Sequence, residues 1–168
     1  MSQMQAQAPI ISIRKATKRD AQGILACLRA AFEEFREAYT PDAFLDTVLT
    51  AETLQERLKT MSVFVAVNSD DEVIGTIACN VASAGEGHLR GMAVSPSMRG
   101  SGIAAQLLNH AESELRRKNV ERITLDTTEP LQRAMRFYEK HGYRRSGRFG
   151  DFFAMPLIEY QKKLSPDH

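Results

Sequence analysis

The sequence predicts a single α/β domain with a mixed central sheet of about seven strands and about four flanking helices. The chain has 168 residues, of which 43% are hydrophobic and 26% charged, close to the averages for one soluble globular domain. Short apolar runs predict strands in the first half, whereas strands alternate with helical apolar stripes in the second half. The resulting order, β-α-α-β-β-β-α-β-α-β-β, is typical of an α/β fold.

The first elements are a short strand and an amphipathic helix. Residues 1–9 hold little bulky apolar material, so we expect a flexible segment outside the domain, which then spans residues 10–168. Isoleucines at 10, 11 and 13 predict the strand, and Thr17 and Asp20 have the spacing of a helix capping box. The apolar face of the helix consists of Ile24, Leu25, Leu28, Ala31, Phe32 and Phe35.

A second helix and a strand hairpin follow. Thr40 and Pro41 end the first helical pattern, and one further helix is predicted from a looser stripe. Residues 61–67 are apolar on both faces, which favours a central strand, and the polar turn NSDDE leads into a strand at 73–81. Another strand, the fourth of the chain, is predicted at 88–94 and ends before Pro96. The stripe of the second helix consists of Leu45, Val48, Leu49, Leu54 and Leu58.

The second half of the chain alternates between helices and strands. Apolar residues at helical spacing predict a helix around residues 104–115 and another around 131–137, with a short strand at Ile123 and Leu125 between them. Two terminal strands are predicted at 143–148 and 152–162, which completes the α/β order.

Charge and hydropathy exclude several classes of protein. The 22 basic and 21 acidic residues give a net charge of +1, which argues against a dedicated nucleic-acid binder. The basic stretch around Arg116, Arg117 and Arg122 lacks a nucleic-acid motif. No run approaches the roughly 18 apolar residues of a membrane span, and the N-terminus lacks the features of a signal peptide. We therefore expect a cytoplasmic protein without nucleic-acid or membrane partners, and the oligomeric state, a homodimer included, is left open.

The two cysteines, Cys27 and Cys79, match no metal-ligand or redox spacing. Both fall within apolar patterns, where a reduced cysteine behaves as a small core residue. We expect buried thiols, and no metal site.

The most informative stretch is residues 92–104, MAVSPSMRGSGIA, in which a strand leads through a proline turn into a glycine loop that opens a helix. Gly100 and Gly102 allow close approach of a ligand to the backbone, while unpaired N–H groups and the helix dipole favour a phosphate or pyrophosphate. Arg99 can add a charged contact. The spacing excludes two other phosphate loops, because no Lys follows Gly102 as in a Walker loop and Ala105 replaces the third glycine of a dinucleotide fingerprint.

These residues resemble the GCN5-related N-acetyltransferase (GNAT) family, whose signature is Arg or Gln, two variable residues, Gly, one variable residue, then Gly or Ala. Arg99, Gly102 and Ala104 fill these places. The later segment at 134–143, AMRFYEKHGY, is similar to the second conserved block of the family, and the resemblance spans about residues 10–163 in element order.

The resemblance implies a mostly antiparallel sheet whose fourth and fifth strands separate to admit the pantetheine arm of acetyl-coenzyme A (acetyl-CoA). Acetyl-CoA is then the acyl-donor substrate, with its pyrophosphate on the N–H groups of the loop and no metal. The residues expected to bind it are Met92, Ala93, Val94, Arg99, Gly100, Ser101, Gly102, Ile103 and Ala104. Where many members carry an asparagine that anchors the cofactor arm, this chain has Leu131, and the residues able to compensate are Thr127, Thr128 and Gln132.

The same resemblance implies two catalytic residues, Tyr138 and Asp126. Tyr138 stands where the family often has the tyrosine that protonates the sulfur of coenzyme A; the alternative is that it packs with Phe137 and Tyr143 in an aromatic core. Asp126 aligns with an acidic residue that some members use. The identity of the general base stays open between Asp126, His88, Glu86 and water.

The predicted function is direct transfer of an acetyl group to an amine of a small molecule or peptide. The alternative is a non-catalytic module that binds acetyl-CoA as a regulatory ligand. The acceptor pocket is expected between the first two helices and residues 147–156, whereas the acceptor and the preferred acyl length stay open. The acidic residues Glu33, Glu34, Glu37, Asp42 and Asp46 are interpreted as a solvated face, with attraction of a cationic amine as the alternative.

Overall fold

A computed structural model describes residues 10–165, which form a seven-stranded sheet with helices on both faces. The strand order is β1-β2-β3-β4-β5-β7-β6, and among these pairs only β4 and β5 run parallel. The strands are β1 (Ser12–Lys15), β2 (Ser62–Val67), β3 (Val73–Ser83), β4 (Glu86–Val94), β5 (Arg122–Thr128), β6 (Arg144–Phe152) and β7 (Met155–Lys163). The helices are α1 (Ala21–Phe32), α2 (Pro41–Val48), α3 (Ala51–Thr60), α4 (Ile103–Arg117) and α5 (Gln132–Lys140).

The predicted fold class is confirmed, with two local differences. Five α-helices occur among the described residues, where the sequence predicted about four. The predicted second helix is divided, because Leu49 has φ +67° and Thr50 caps a new helix by accepting a hydrogen bond from the backbone N–H of Thr53 at 3.2 Å. The first strand begins at Ser12, and Ile10 is 72% exposed. Residues 1–9, predicted to be flexible, lie outside the described part of the chain.

The central position of β2 follows from its two apolar faces. Val63, Val65 and Val67 pack with α1, α2 and α3 on one side of the sheet, while Phe64 and Ala66 pack toward α4 and α5 on the other. Cys27 and Cys79 are buried free thiols, as predicted, one in each core cluster. No helix within residues 10–165 is long and apolar enough to cross a membrane.

The core under α4 provides a first prediction. Leu107 is fully buried between α4 and β3, so Leu107→Ala is expected to lower the free energy of unfolding by about 3 kcal/mol. Leu45→Ala is the control, because the Leu45 side chain is half exposed and should change stability by less than about 0.5 kcal/mol. Urea denaturation of both variants tests this, and equal destabilisation would contradict the assignment of Leu107 to the core.

Two irregularities of β4 determine the shape of the site. The parallel ladder with β5 ends at the pair Leu89 and Leu125, although both strands continue beyond it. At Gly91 and Met92, two residues of β4 lie opposite Ile77 of β3, which is a β-bulge, and Gly91 has φ +62°. Beyond Leu89, β4 therefore keeps its partner on the β3 side and exposes an unpaired backbone edge on the side of β5.

Candidate functional site

A cavity of about 650 Å³ occupies the gap between β4 and β5. Its walls come from both faces of the sheet: α1 and α2 contribute Phe32 and Thr47, and α5 contributes Tyr138. From β4 the cavity is lined by Met92, Ala93 and Val94 among others, so the free strand edge faces it. Separation of the fourth and fifth strands, expected from the family resemblance, is thus present.

The glycine loop closes one end of this cavity. Gly100 and Gly102 have φ +82° and +84°, and a Cβ at either position would meet no atom within 4 Å. The first hydrogen bond of α4 runs from the N–H of Gln106 to the carbonyl of Gly102. Within residues 10–165, the N–H groups of residues 100–105 have no hydrogen-bond acceptor. Such a row of free donors at a helix N-terminus is suited to an anion.

The guanidinium of Arg99 is held by a carboxylate. Its Nη2 lies 2.6 Å from Oε1 of Glu34, and Nη2 of Arg133 lies 2.7 Å from the same oxygen. Glu34 belongs to a short 3₁₀ helix, Glu33–Ala38, that follows α1. Glu34 is exposed, as expected for the solvated face, and it also joins the loop before α4 to the first turn of α5.

Two ionisable groups meet where β4 and β5 begin to separate. Nε2 of His88 lies 3.7 Å from Oδ2 of Asp126, and Nδ1 of His88 shares a 2.9 Å hydrogen bond with the hydroxyl of Thr124. Burial lowers the pKa of His88, an effect that the negative charge of Asp126 opposes. Burial likewise raises the pKa of Asp126. The imidazole of His88 is therefore neutral at pH 7, and it lies beside a carboxyl group that is partly removed from water.

Tyr138 lies between the cavity and the core. Its ring makes edge contacts with Phe137 and Tyr143, at centroid distances of 5.4 and 5.7 Å, and also lines the cavity. Burial raises the pKa of the phenol above its usual value, so the hydroxyl is neutral and carries its proton near pH 7. The packing interpretation and the proton-donor interpretation are compatible in this position.

Some of the residues predicted at the site are not brought to the cavity. The hydroxyl of Ser101 donates to the carbonyl of Met98, and Ser101 contributes no cavity wall. Glu86 lies outside the lining and pairs with Arg122 at 2.6 Å, so it is not placed to act as a base. Neither cysteine lines the cavity. The remaining predicted binding and catalytic residues do line it, namely Met92, Ala93, Val94, Arg99, Gly100, Gly102, Ile103, Ala104, Asp126 and Tyr138.

The polar residues considered as substitutes for the missing asparagine differ in their partners. The Thr128 hydroxyl lies 2.6 Å from that of Tyr39, and the Gln132 amide donates to the carbonyl of Glu129. The buried hydroxyl of Thr127 has no partner among residues 10–165. Leu131 itself lines the cavity and precedes α5. Thr127 is thus the one of the three whose hydrogen-bonding capacity is not used within the described chain.

The model of the family described as "Acetyltransferase (GNAT) family" matches residues 24–143, which include the loop, the separated strands and α5. The chain belongs to the GNAT acetyltransferase family. The enzyme class expected from the sequence, an acyltransferase of the GNAT N-acetyltransferase kind, is confirmed at the level of the family. No group of three or more potential metal ligands occurs among residues 10–165 of this GNAT protein.

Named relatives agree with this assignment. Acetyltransferase Atu2258 of Agrobacterium fabrum is 32% identical over 96 residues, covering 57% of this chain and 68% of the relative. Aminoalkylphosphonate N-acetyltransferase of Salmonella typhimurium is 26% identical over 149 residues, covering 82% of this chain and 88% of the relative. The match to "Uncharacterized protein YxbD" of Bacillus subtilis covers 58% of that relative. The fold is shared with the PaiA N-acetyltransferase of Thermoplasma acidophilum in complex with coenzyme A. The TM-score is 0.77 at 19% sequence identity, and the match covers 92% of this chain and 99% of that structure.

The GNAT cavity also contains residues that the sequence did not indicate. These are Arg57 on α3 and Arg90 on β4. Asp46, one of the acidic residues considered above for attraction of a cationic amine, also lines the cavity and lies 3.9 Å from the guanidinium of Arg90. Arg90 was discoverable in principle, because it follows His88 by two residues and therefore shares its face of β4. Arg57 could not have been found from the sequence, because its place in the cavity depends on how α3 packs over the bulge at Gly91.

Proposed function

We propose that this protein is an acetyl-CoA-dependent N-acetyltransferase that moves an acetyl group directly to an amine of a small molecule or peptide. The observation that carries the proposal is the cavity between β4 and β5. It combines a free strand edge, a row of free N–H donors, and a pair of ionisable groups in one continuous space. Family membership supports the same chemistry.

The donor fits the chain's unused backbone groups. The N–H groups of residues 100–105 match the pyrophosphate, and the glycines leave the loop open to it. The unpaired edge at Met92, Ala93 and Val94 matches the amide groups of the pantetheine arm, which can pair with a strand edge as another strand would. The unpartnered hydroxyl of Thr127 is our candidate for a further contact to this arm, in place of the family's asparagine.

The transfer replaces the carbon–sulfur bond of the thioester with a carbon–nitrogen bond. The amine nitrogen attacks the thioester carbonyl, the carbon–sulfur bond breaks, one proton leaves the nitrogen and one reaches the sulfur. We assign removal of the first proton to His88, whose lowered pKa keeps the imidazole neutral at pH 7. Thr124 positions the imidazole through its hydrogen bond to Nδ1, and the carboxylate of Asp126 attracts the amine. Tyr138 supplies the proton to the departing thiolate, because its phenol lines the cavity and stays protonated.

The assignment of His88 predicts a specific pH profile. Activity should fall as His88 becomes protonated, and because burial lowers its pKa, the acidic limb of kcat/KM should lie below the usual histidine value of about 6.5. His88→Gln is expected to lower kcat about 10-fold to 50-fold, less than a full loss of base catalysis, since Asp126 can act through water.

The acidic limb distinguishes the two candidate bases. In His88→Gln the limb should vanish. Asp126→Asn should lower kcat and keep the limb but move it to lower pH, because the negative charge of Asp126 no longer raises the pKa of His88. The measurement is kcat/KM from pH 4.5 to 9 in all three proteins. A limb that stays in His88→Gln and disappears in Asp126→Asn would assign the base to the carboxylate.

The experiment that tests the proposed function is an acceptor screen with two readouts, thiol release and the mass of the product. Polyamines, amino acids, aminoglycosides and peptide N-termini cover the main amine classes. Acetylated product with equimolar coenzyme A supports the enzyme. Tight binding of acetyl-CoA that Tyr138→Phe does not change, without release of coenzyme A in the presence of any amine, would favour the regulatory module.

Replacing both cysteines separates direct transfer from a covalent route. A ping-pong mechanism needs an acetylated enzyme intermediate, and neither Cys27 nor Cys79 lines the cavity. The double variant Cys27→Ala, Cys79→Ala should therefore retain kcat within a few-fold, apart from the reduced stability of the core. Loss of turnover in a protein that remains folded by circular dichroism would contradict direct transfer.

A further inference from the structure

Four guanidinium groups line the same cavity as the His88–Asp126 pair; those of Arg99 and Arg133 are paired with Glu34, whereas those of Arg57 and Arg90 are not. Arg90 follows His88 by two residues on one face of β4, so their Cα atoms are about 7 Å apart along the strand. Arg57 reaches the cavity from α3 and lies directly over the backbone of Gly91, since a Cβ at residue 91 would be 2.5 Å from its Nη1. The left-handed conformation of Gly91 and its missing side chain together make room for this guanidinium.

Arg57 has no counter-ion in the described chain. Within residues 10–165, no carboxylate oxygen lies within 4 Å of it, and its guanidinium donates no hydrogen bond. Arg99 and Arg122, in contrast, each contact a carboxylate at 2.6 Å. Arg90 has only the distant Asp46, at 3.9 Å. Arg57 and Arg90 thus face the cavity with only one weak ion pair, from Arg90 to Asp46, among the residues that the structure describes.

The electrostatics of Arg57 are those of an uncompensated cation. The pKa of Arg57 is lowered to about 10, chiefly by burial and also by the positive charge of Arg90, while the negative charge of Asp46 opposes the change. A partly buried guanidinium with unmet donors costs free energy, and an anion between the two side chains would relieve that cost. Of the carboxyl groups of this region, Asp126 and Glu159 act on His88, whereas Asp46 lies on the side of the two arginines.

We propose that Arg57 and Arg90 bind an acidic group of the acceptor, so that the substrate is an amine that also carries a carboxylate or a phosphonate. The inference rests on the proposed function and specifies its acceptor class. The amine lies toward His88 and Asp126, and the acid lies toward the two guanidinium groups. The spacing along β4 fits a small amino acid or aminophosphonate, whose two charged groups are a few bonds apart.

The test uses acceptors in matched pairs. Each pair consists of an amino carboxylate or an aminophosphonate and its neutral amide or ester, with the amine unchanged, as in β-alanine and β-alaninamide. The acidic member is expected to have a kcat/KM at least tenfold higher. Comparison of the carboxylate and phosphonate arms identifies which acid the site prefers.

Variants of Arg57 connect this preference to the site. Arg57→Gln should raise KM for the acidic acceptor about 10-fold to 100-fold with little change in kcat, and should leave KM for the neutral acceptor unchanged. Arg57→Lys should recover part of the preference, because it restores the charge without the planar donors. The matched control is Arg19→Gln, an exposed arginine outside this cavity, which should behave as the wild type.

The outcomes distinguish a wrong acceptor class from a wrong enzymatic function. Equal use of acidic and neutral acceptors, or an unchanged KM for the acid in Arg57→Gln, would overturn the acceptor class while leaving an active acetyltransferase. Failure of every acceptor to release coenzyme A would overturn the proposed function, and the acceptor class with it. An acid preference that Arg57→Gln abolishes and Arg57→Lys partly restores would establish the inference.

Discussion

Tyr138→Phe is expected to lower kcat about 10²-fold to 10³-fold and to leave KM for acetyl-CoA within about twofold. The ring would still pack against Phe137 and Tyr143, so the wall of the cavity is kept and only the hydroxyl is removed. Without this donor, the thiolate must leave unprotonated or take its proton from water. Steady-state kinetics under saturating acceptor measure this effect.

Tyr143→Phe is the matched control for this substitution. Tyr143 is fully buried, does not line the cavity, and donates its hydroxyl to Oε1 of Glu112 at 3.3 Å. Removal of this hydroxyl should reduce stability by about 1 kcal/mol and leave kcat unchanged. If Tyr138→Phe retained full turnover with normal donor binding, the phenol would have a packing role only, and water would be the proton source.

Ala104→Glu is expected to raise KM for acetyl-CoA at least about 100-fold, which corresponds to about 2.7 kcal/mol of donor binding. Ala104 lies in the first turn of α4 and lines the cavity beside the free N–H groups. A carboxylate there would occupy the anion position and repel the pyrophosphate. The helix should tolerate it, because a negative charge in the first turn interacts favourably with the helix dipole.

Ala104→Gln separates charge from size in that experiment. Glutamine has nearly the same volume without the negative charge, so its effect on KM should be less than about tenfold. Direct titration with coenzyme A and thermal unfolding of both variants complete the comparison. If Glu and Gln weakened binding equally, the effect would be steric, and the predicted repulsion of a bound anion at this position would be wrong.

Features encoded locally were predictable from sequence, and the glycine loop is the clearest case. The predicted loop at Gly100 and Gly102 does open a helix, α4, and β2 is buried on both faces as its apolar run indicated. The division between α2 and α3 was not predictable, because Leu49 continues the apolar stripe and is itself buried. The apolar pattern of a sequence does not reveal that one buried leucine has a positive φ.

Features that depend on distant parts of the chain could not be predicted. The contact between Arg57 and Gly91 joins α3 to a bulge in β4, and neither residue forms part of a motif. Glu34 likewise meets Arg99 and Arg133, which are 65 and 99 residues away. Charged side chains have no periodic signature that indicates their partners, so these contacts emerge only when the helices are packed on the sheet.

The short parallel ladder between β4 and β5 has a consequence for the stability of the whole molecule. Its four residue pairs join the β1–β4 half of the sheet to the half formed by β5, β6 and β7. A donor molecule in the gap would extend that junction through its own amide groups, so the reactant would also act as a temporary structural element. The loaded protein should therefore unfold at a higher temperature than the free one, by an amount that grows with ligand concentration.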